Sequence, residues 1–109
     1  MREGFYRIAS WGKLSSPMQL ALDSTVFPSD DAVFRELEGE SVLLNLETGM
    51  YYGLDPVGTR AWQLAVGDGS LRAIRDALVA EYDAAPDVIE RDLLLLAQGL
   101  VGTGLWTLK

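Results

Sequence analysis

The chain contains no cysteine and no histidine, and its only lysines are Lys13 and Lys109. The absence of cysteine excludes disulfides and thiol chemistry. The absence of histidine removes the commonest general base and the commonest protein ligand of metals. No Asp-rich loop of the calcium-binding type offers oxygen ligands instead. We therefore expect no catalytic residue, no metal and no cofactor, and a small enzyme is the least expected functional class.

Positive charge is also scarce, with 9 lysines and arginines against 16 acidic residues and a net charge of −7. Nucleic-acid-binding proteins usually present a basic face, because neutralising phosphates supplies most of their affinity. No apolar run approaches the ~18 residues that a membrane span needs, and residues 1–19 lack the apolar core of a secretory signal. We expect a cytosolic protein with no nucleic-acid and no membrane partner.

The length of 109 residues suits one domain. Residues 1–22 differ from the rest, because the apolar side chains between Phe5 and Trp11 follow neither a helical nor a strand period. We expect this segment to be an N-terminal extension that is either disordered or an arm docked on this chain or on a second copy, as a homodimer. Residues 23–109 should form the folded domain.

The centre of the chain predicts a small antiparallel sheet. After a first short strand at Val33–Leu37, residues from Glu40 to Leu46 alternate with period two, which is typical of a strand with one buried face. Gly49 fits the bulge position of a three-residue hairpin loop, so Met50–Leu54 should be the return strand.

That loop length fixes the expected register of the hairpin. Tyr52 should pair with Leu44, and Leu54 with Val42, so that these residues face inward while Tyr51 points outward.

Three helices should follow the sheet. Asp55-Pro56 is a strong helix start, Ser70 caps a second helix, and Pro86 opens a third that ends near Val101. A final extended segment is expected at Leu105–Leu108. The predicted fold is therefore α+β and winged-helix-like, with a three-stranded antiparallel sheet followed by three helices.

Two features of this fold suggest peptide binding. The return strand leads directly into a helix, and if it is a sheet edge, its unpaired backbone groups can accept an added strand. Alternatively, the N-terminal segment or Leu105–Leu108 covers that edge. The third helix carries two apolar faces, so it is either more deeply buried than usual or lines a groove. Asp92 lies on the second of these faces, where it would either pair with a basic residue of the ligand or be ordinary surface charge.

Residues 38–62, from Glu38-Gly39-Glu40 through Thr48-Gly49-Met50-Tyr51-Tyr52-Gly53-Leu54-Asp55-Pro56 to Trp62, resemble the PqqD family, as does the run from Tyr82-Asp83 to Gly104-Leu105. The resemblance implies a recognition element for ribosomally made precursor peptides, which binds the precursor's leader as an added strand between the third strand and the third helix. It implies a non-catalytic partner of a radical S-adenosylmethionine enzyme, or of a leader peptidase and cyclase. The long N-terminal extension departs from the short start usual in the family.

The peptide-binding residues that the resemblance implies lie on the return strand and the third helix: Tyr51, Tyr52, Gly53, Leu54, Asp92, Leu95, Leu96 and Gly99. The alternative is a winged-helix DNA-binding regulator, although Arg91 is the only basic residue of the third helix.

Overall fold

The computed structural model of the chain describes residues 20–109 and the backbone of one strand near the N-terminus. The elements, in chain order, are β1 Phe5–Arg7, β2 Val26–Pro28, β3 Ala32–Leu37, β4 Glu40–Asn45, β5 Tyr51–Leu54, α1 Pro56–Gly67, α2 Leu71–Glu81, α3 Pro86–Gly102 and β6 Trp106–Leu108. Most of the predicted N-terminal extension, at residues 1–4 and 8–19, lies outside the described residues.

The main sheet has the strand order β1-β5-β4-β3. Strands β3, β4 and β5 pair antiparallel and precede the three helices, so the predicted α+β fold is confirmed. Strand β1 joins the outer side of β5 in parallel. Strand β2, which the sequence pattern did not predict, forms a separate antiparallel ribbon with β6. The final extended segment is therefore paired with β2 and does not cover β5.

The predicted register of the hairpin is wrong by one residue. Leu43 lies opposite Tyr52, and Leu44 lies opposite Tyr51. The buried face of β4 is consequently the opposite of the one expected: Leu43 is fully buried, whereas Val42 is 40% exposed. The inward direction of Tyr52 and the outward direction of Tyr51 are as predicted.

Polar residues explain the reversed face of β4. The Asn45 side-chain oxygen accepts hydrogen bonds from the backbone N–H groups of Glu47 and Thr48, which makes a four-residue loop at positions 46–49 instead of a three-residue one. The Asn45 amide nitrogen donates to the carbonyl of Thr103 at 2.7 Å. Because its hydrogen bonds are satisfied, this amide can be buried on the core side of the sheet.

Ser41, the other polar residue on that face, is buried beside Thr59 of α1, with 2.8 Å between the two hydroxyl oxygens. The inward face of β4 is therefore partly polar, and the more apolar face is the outer one, which includes Val42 and Leu44.

The helices begin where the sequence predicts. The Asp55 carboxylate accepts the backbone N–H of Gly58 at 2.8 Å with Pro56 at the first helical position, and Ser70 caps α2 in the same way through Ala73. Ring stacking ties the sheet to the helices, because Trp62 of α1 stacks on Phe34 at 5.7 Å and on Trp106 at 5.9 Å between ring centroids. Within the described part of the chain, no helix is both long and apolar enough to cross a membrane.

Candidate peptide-binding site

The backbone of β5 has hydrogen-bonding groups that β4 does not use, on the side of the strand away from β4. The N–H of Asn45 donates to the carbonyl of Met50 at 3.0 Å, so these two residues form a hydrogen-bonded pair. Hydrogen-bonded and non-hydrogen-bonded pairs alternate along an antiparallel ladder. The N–H and C=O groups of Tyr51 and Gly53 therefore point to the opposite edge of the strand, where another strand can pair with them.

The four predicted contact residues on β5 have different surroundings. The Tyr51 ring is 47% exposed on the outer face of the sheet, whereas the side chains of Tyr52 and Leu54 are buried in the core. Gly53 is also buried. Tyr52 and Leu54 hold the strand in place from the core side, and the Tyr51 ring is the exposed side chain of β5.

A pocket of about 420 Å³ begins at the end of this strand. Its walls come from the start of α1, the end of α2, the link to α3 and one face of α3, and Asp55, the residue after β5, lies at its margin. The lining is largely apolar: Val57, Gly58, Ala61, Leu78, Tyr82, Ala84, Val88, Ile89, Leu93, Leu95 and Leu96, with Asp55, Asp83 and Asp92. The residues of β5 itself do not line this cavity, and Asp55 is the point at which the strand adjoins it.

Three of the four predicted residues on α3 line this pocket: Asp92, Leu95 and Leu96. The two leucines are half-buried, and the Asp92 side chain is 64% exposed. Gly99 is buried in α3 and is not among the lining residues. The sequence pattern did not predict the walls from α1 and α2, because the Asp55 and Ser70 caps mark where these helices start and not which of their faces enclose a cavity.

The charge around the pocket is mainly negative. Asp55, Asp83 and Asp92 are all lining residues, and the nearest described partner of Asp92 is its neighbour Arg91, with 3.6 Å between Nε and Oδ1. Arg60 is engaged elsewhere, in a two-pronged pair with Glu81 at 2.9 Å. This hydrogen-bonded pair raises the pKa of Arg60 and lowers the pKa of Glu81. The margin of the pocket thus favours a cationic guest.

The β5 edge carries strand β1 in this structure. Phe5, Tyr6 and Arg7 lie opposite Tyr51, Tyr52 and Gly53 in a parallel register. In a parallel ladder a residue bonds to the two residues that flank its partner. Tyr6 is therefore the position whose backbone faces the outward groups of Tyr51 and Gly53.

No cluster of three or more aspartate and glutamate side chains in the described part of the chain is placed to hold a metal ion. The arrangement offers backbone hydrogen bonds, an apolar cavity and negative charge, which together suit an extended peptide.

Comparison with known proteins gives two matches. The family model described as Coenzyme PQQ synthesis protein D (PqqD) matches residues 40–105, which contain β5 and the whole pocket. A solved structure, TbiB1 in complex with the TbiA(beta) leader peptide, is 38% identical with a TM-score of 0.70, over 74% of this chain and 94% of that one. The comparison with curated proteins gives no match. The family model spans more than half of the sequence, from the start of β4 to just past the end of α3. The chain therefore belongs to the PqqD family.

Proposed function

We propose that the protein binds the leader segment of a ribosomally synthesised precursor peptide without modifying it, and delivers it to a modifying enzyme. The leader would add a strand at the β5 edge and place an apolar side chain in the pocket beside Asp55. The observation that carries the proposal is the pair of outward backbone groups on Tyr51 and Gly53, on a strand that ends at the pocket. Membership of the PqqD family and the similarity to TbiB1, which was solved with a leader peptide, support it.

The predicted contact residues divide into two roles under this proposal. Tyr51 and Gly53 supply backbone hydrogen bonds, and Tyr52 and Leu54 fix the strand from within the core. Asp92, Leu95 and Leu96 contact the leader from α3, while the buried Gly99 supports the helix. A modest interface of this kind is consistent with low-micromolar to nanomolar binding, roughly −8 to −12 kcal/mol.

The proposal extends to the partners. The modifying enzyme would be a radical S-adenosylmethionine enzyme, or a leader peptidase with a cyclase, acting in the cytosol. The protein would contribute no reacting group, in keeping with a sequence that has no histidine and no cysteine. A homodimer through the N-terminal arm stays a prediction.

The strand-addition proposal is tested with a fluorescent synthetic TbiA(beta) leader peptide, hereafter the probe peptide, titrated against the full chain. Tyr51→Pro removes one N–H that faces away from β4, so the pairing of β5 with β4 and the fold should persist. We expect the variant to bind the probe peptide about tenfold or more weakly, because a backbone hydrogen bond is lost and the proline ring obstructs the added strand.

Tyr51→Ala is the matched control, since it removes the same aromatic ring and keeps the N–H. Strand addition predicts that the alanine variant binds clearly better than the proline variant. Equal affinities of two folded variants would contradict it. A full chain that binds the probe peptide no better than a scrambled version of it would contradict leader binding altogether.

A further inference from the structure

We infer that β1 is an autoinhibitory strand, through which the chain's own Phe5–Arg7 occupies the β5 edge until a leader peptide displaces it. This inference rests on the proposed function, because it concerns the regulation of the same edge. Its basis is the observed pairing of Tyr6 with Tyr52, which brings the backbone of Tyr6 opposite the outward groups of Tyr51 and Gly53. An added strand at that edge needs the same outward groups, so β1 and a leader cannot both use them.

The length of the intervening chain allows β1 to come from the same molecule. Residues 8–19 connect β1 to the folded domain, and twelve extended residues span about 40 Å. The largest extent of the molecule is 35 Å. A tether of this length also keeps the arm at an effective concentration of about a millimolar or more near the edge, which favours pairing within one chain over pairing between two.

The shortness of β1 makes the occupancy reversible. It is three residues long and pairs with one strand only, so it offers few hydrogen bonds compared with a leader that also fills the pocket. Occupancy lowers the apparent affinity for the leader by the fraction of time that the edge is open; an edge open one tenth of the time costs about tenfold. A longer segment with an apolar anchor would displace the arm, whereas an unrelated extended peptide would not.

The position of the arm is tested by a disulfide, which is practical because the chain has no cysteine of its own. Phe5→Cys combined with Tyr51→Cys places two cysteines on opposed residues of neighbouring strands. The Cα atoms of such a pair are about 4.8 Å apart, which is within the range that a disulfide bridges. We expect an intrachain crosslink under mild oxidation.

The matched control is Phe5→Cys with Val33→Cys. Val33 is exposed and lies in the same cross-strand row as Tyr51, but three strands away from Phe5, at about 14 Å. This pair should not crosslink. Absence of the Phe5–Tyr51 crosslink, or a crosslink formed only between two chains, would overturn the inference, the second result assigning the arm to a partner copy.

The inhibitory effect is tested in the full chain with Tyr6→Pro and Tyr6→Ala. Both remove the same side chain, but only proline removes the N–H that faces β5. We expect Tyr6→Pro to bind the probe peptide several-fold and up to about tenfold more tightly than Tyr6→Ala. The oxidised double-cysteine protein should bind it more weakly than the same protein after reduction. Equal affinities in both comparisons would overturn the inference.

The two proposals fail in different ways. If the unsubstituted chain binds the probe peptide but the arm neither crosslinks nor alters affinity, only the autoinhibition is wrong. In the reverse case the arm occupies the edge but the protein does not bind leaders. A labelled peptide of residues 1–12 serves as a second probe for that case. If that peptide binds Tyr6→Pro and is excluded by the oxidised crosslink, while no variant binds the probe peptide, the arm occupies the edge and leader binding is wrong.

Discussion

At the scale of single residues, Asn45 controls the hairpin that presents the β5 edge. Its side-chain oxygen accepts two N–H groups of the loop, and its nitrogen donates to the carbonyl of Thr103 at the end of α3. The amide is 2% exposed, so water cannot replace these partners. One buried side chain therefore sets the loop length, the register of β5 and the contact of the hairpin with the end of α3.

Asn45→Ala should lower the free energy of unfolding by about 1–3 kcal/mol, because the Thr103 carbonyl and the N–H groups of Glu47 and Thr48 lose their buried partner. The measurement is urea unfolding followed by far-ultraviolet circular dichroism. Thr48→Ala is the control, since it alters the same loop at an exposed position and should change the free energy by less than about 0.5 kcal/mol. A similar small effect for both variants would show that Asn45 does not hold the hairpin.

At the scale of elements, local signals predicted the helices and non-local packing decided the sheet. The Asp55 and Ser70 caps act within four residues of themselves, so the starts of α1 and α2 are readable in the sequence. The alternation in β4 predicted a strand but not which of its faces is buried. The hydrogen bonds that allow Asn45 and Ser41 to be buried come from distant residues, Thr103 and Thr59. The β2–β6 ribbon likewise joins the two ends of the folded domain, and no local pattern marks its pairing.

The candidate site was predictable to a similar degree. The edge strand and the outer face of α3 came from local patterns, and Asp92, Leu95 and Leu96 do meet in one pocket. The opposite wall, which includes Val57 and Ala84, depends on how α1 and the α2–α3 link pack against α3. That arrangement is set by tertiary contacts and has no signature in sequence spacing.

The turn between α1 and α2 offers a test of this packing. Gly69 lies against β2, and its carbonyl accepts the N–H of Val26 at 2.9 Å. A Cβ atom at Gly69 would overlap the carbonyl oxygen of Val26, whereas one at Gly67 would meet open space. Gly69→Ala should therefore lower the free energy of unfolding by about 1–3 kcal/mol through overpacking.

Gly67→Ala is the matched substitution two residues away, at the end of α1. It should be neutral or raise the free energy of unfolding by up to about 1 kcal/mol, because alanine favours the helix. Thermal and urea unfolding of the two variants would compare them directly. If Gly69→Ala were as stable as Gly67→Ala, the close approach of β2 to this turn would be refuted.

At the scale of the whole molecule, the net charge of −7 and the acidic margin of the pocket predict a preference for basic leaders. The long-range part of this attraction is shared by every carboxylate, whereas the local part belongs to the pocket. Asp92 and Asp87 separate the two contributions. Both lie on α3, both are exposed and each contributes one negative charge, but only Asp92 lines the pocket.

An arginine scan of the probe peptide should find a position at which arginine strengthens binding to the unsubstituted chain by about two- to fivefold at low ionic strength, the range of an exposed ion pair. That gain should disappear in Asp92→Asn and persist in Asp87→Asn, since asparagine removes the charge and keeps the size. Raising the salt to about 1 M, where the screening length falls to about 3 Å, should reduce the gain in both proteins that show it. A gain that survives in Asp92→Asn would mean that the leader senses the overall field of the molecule and not this carboxylate.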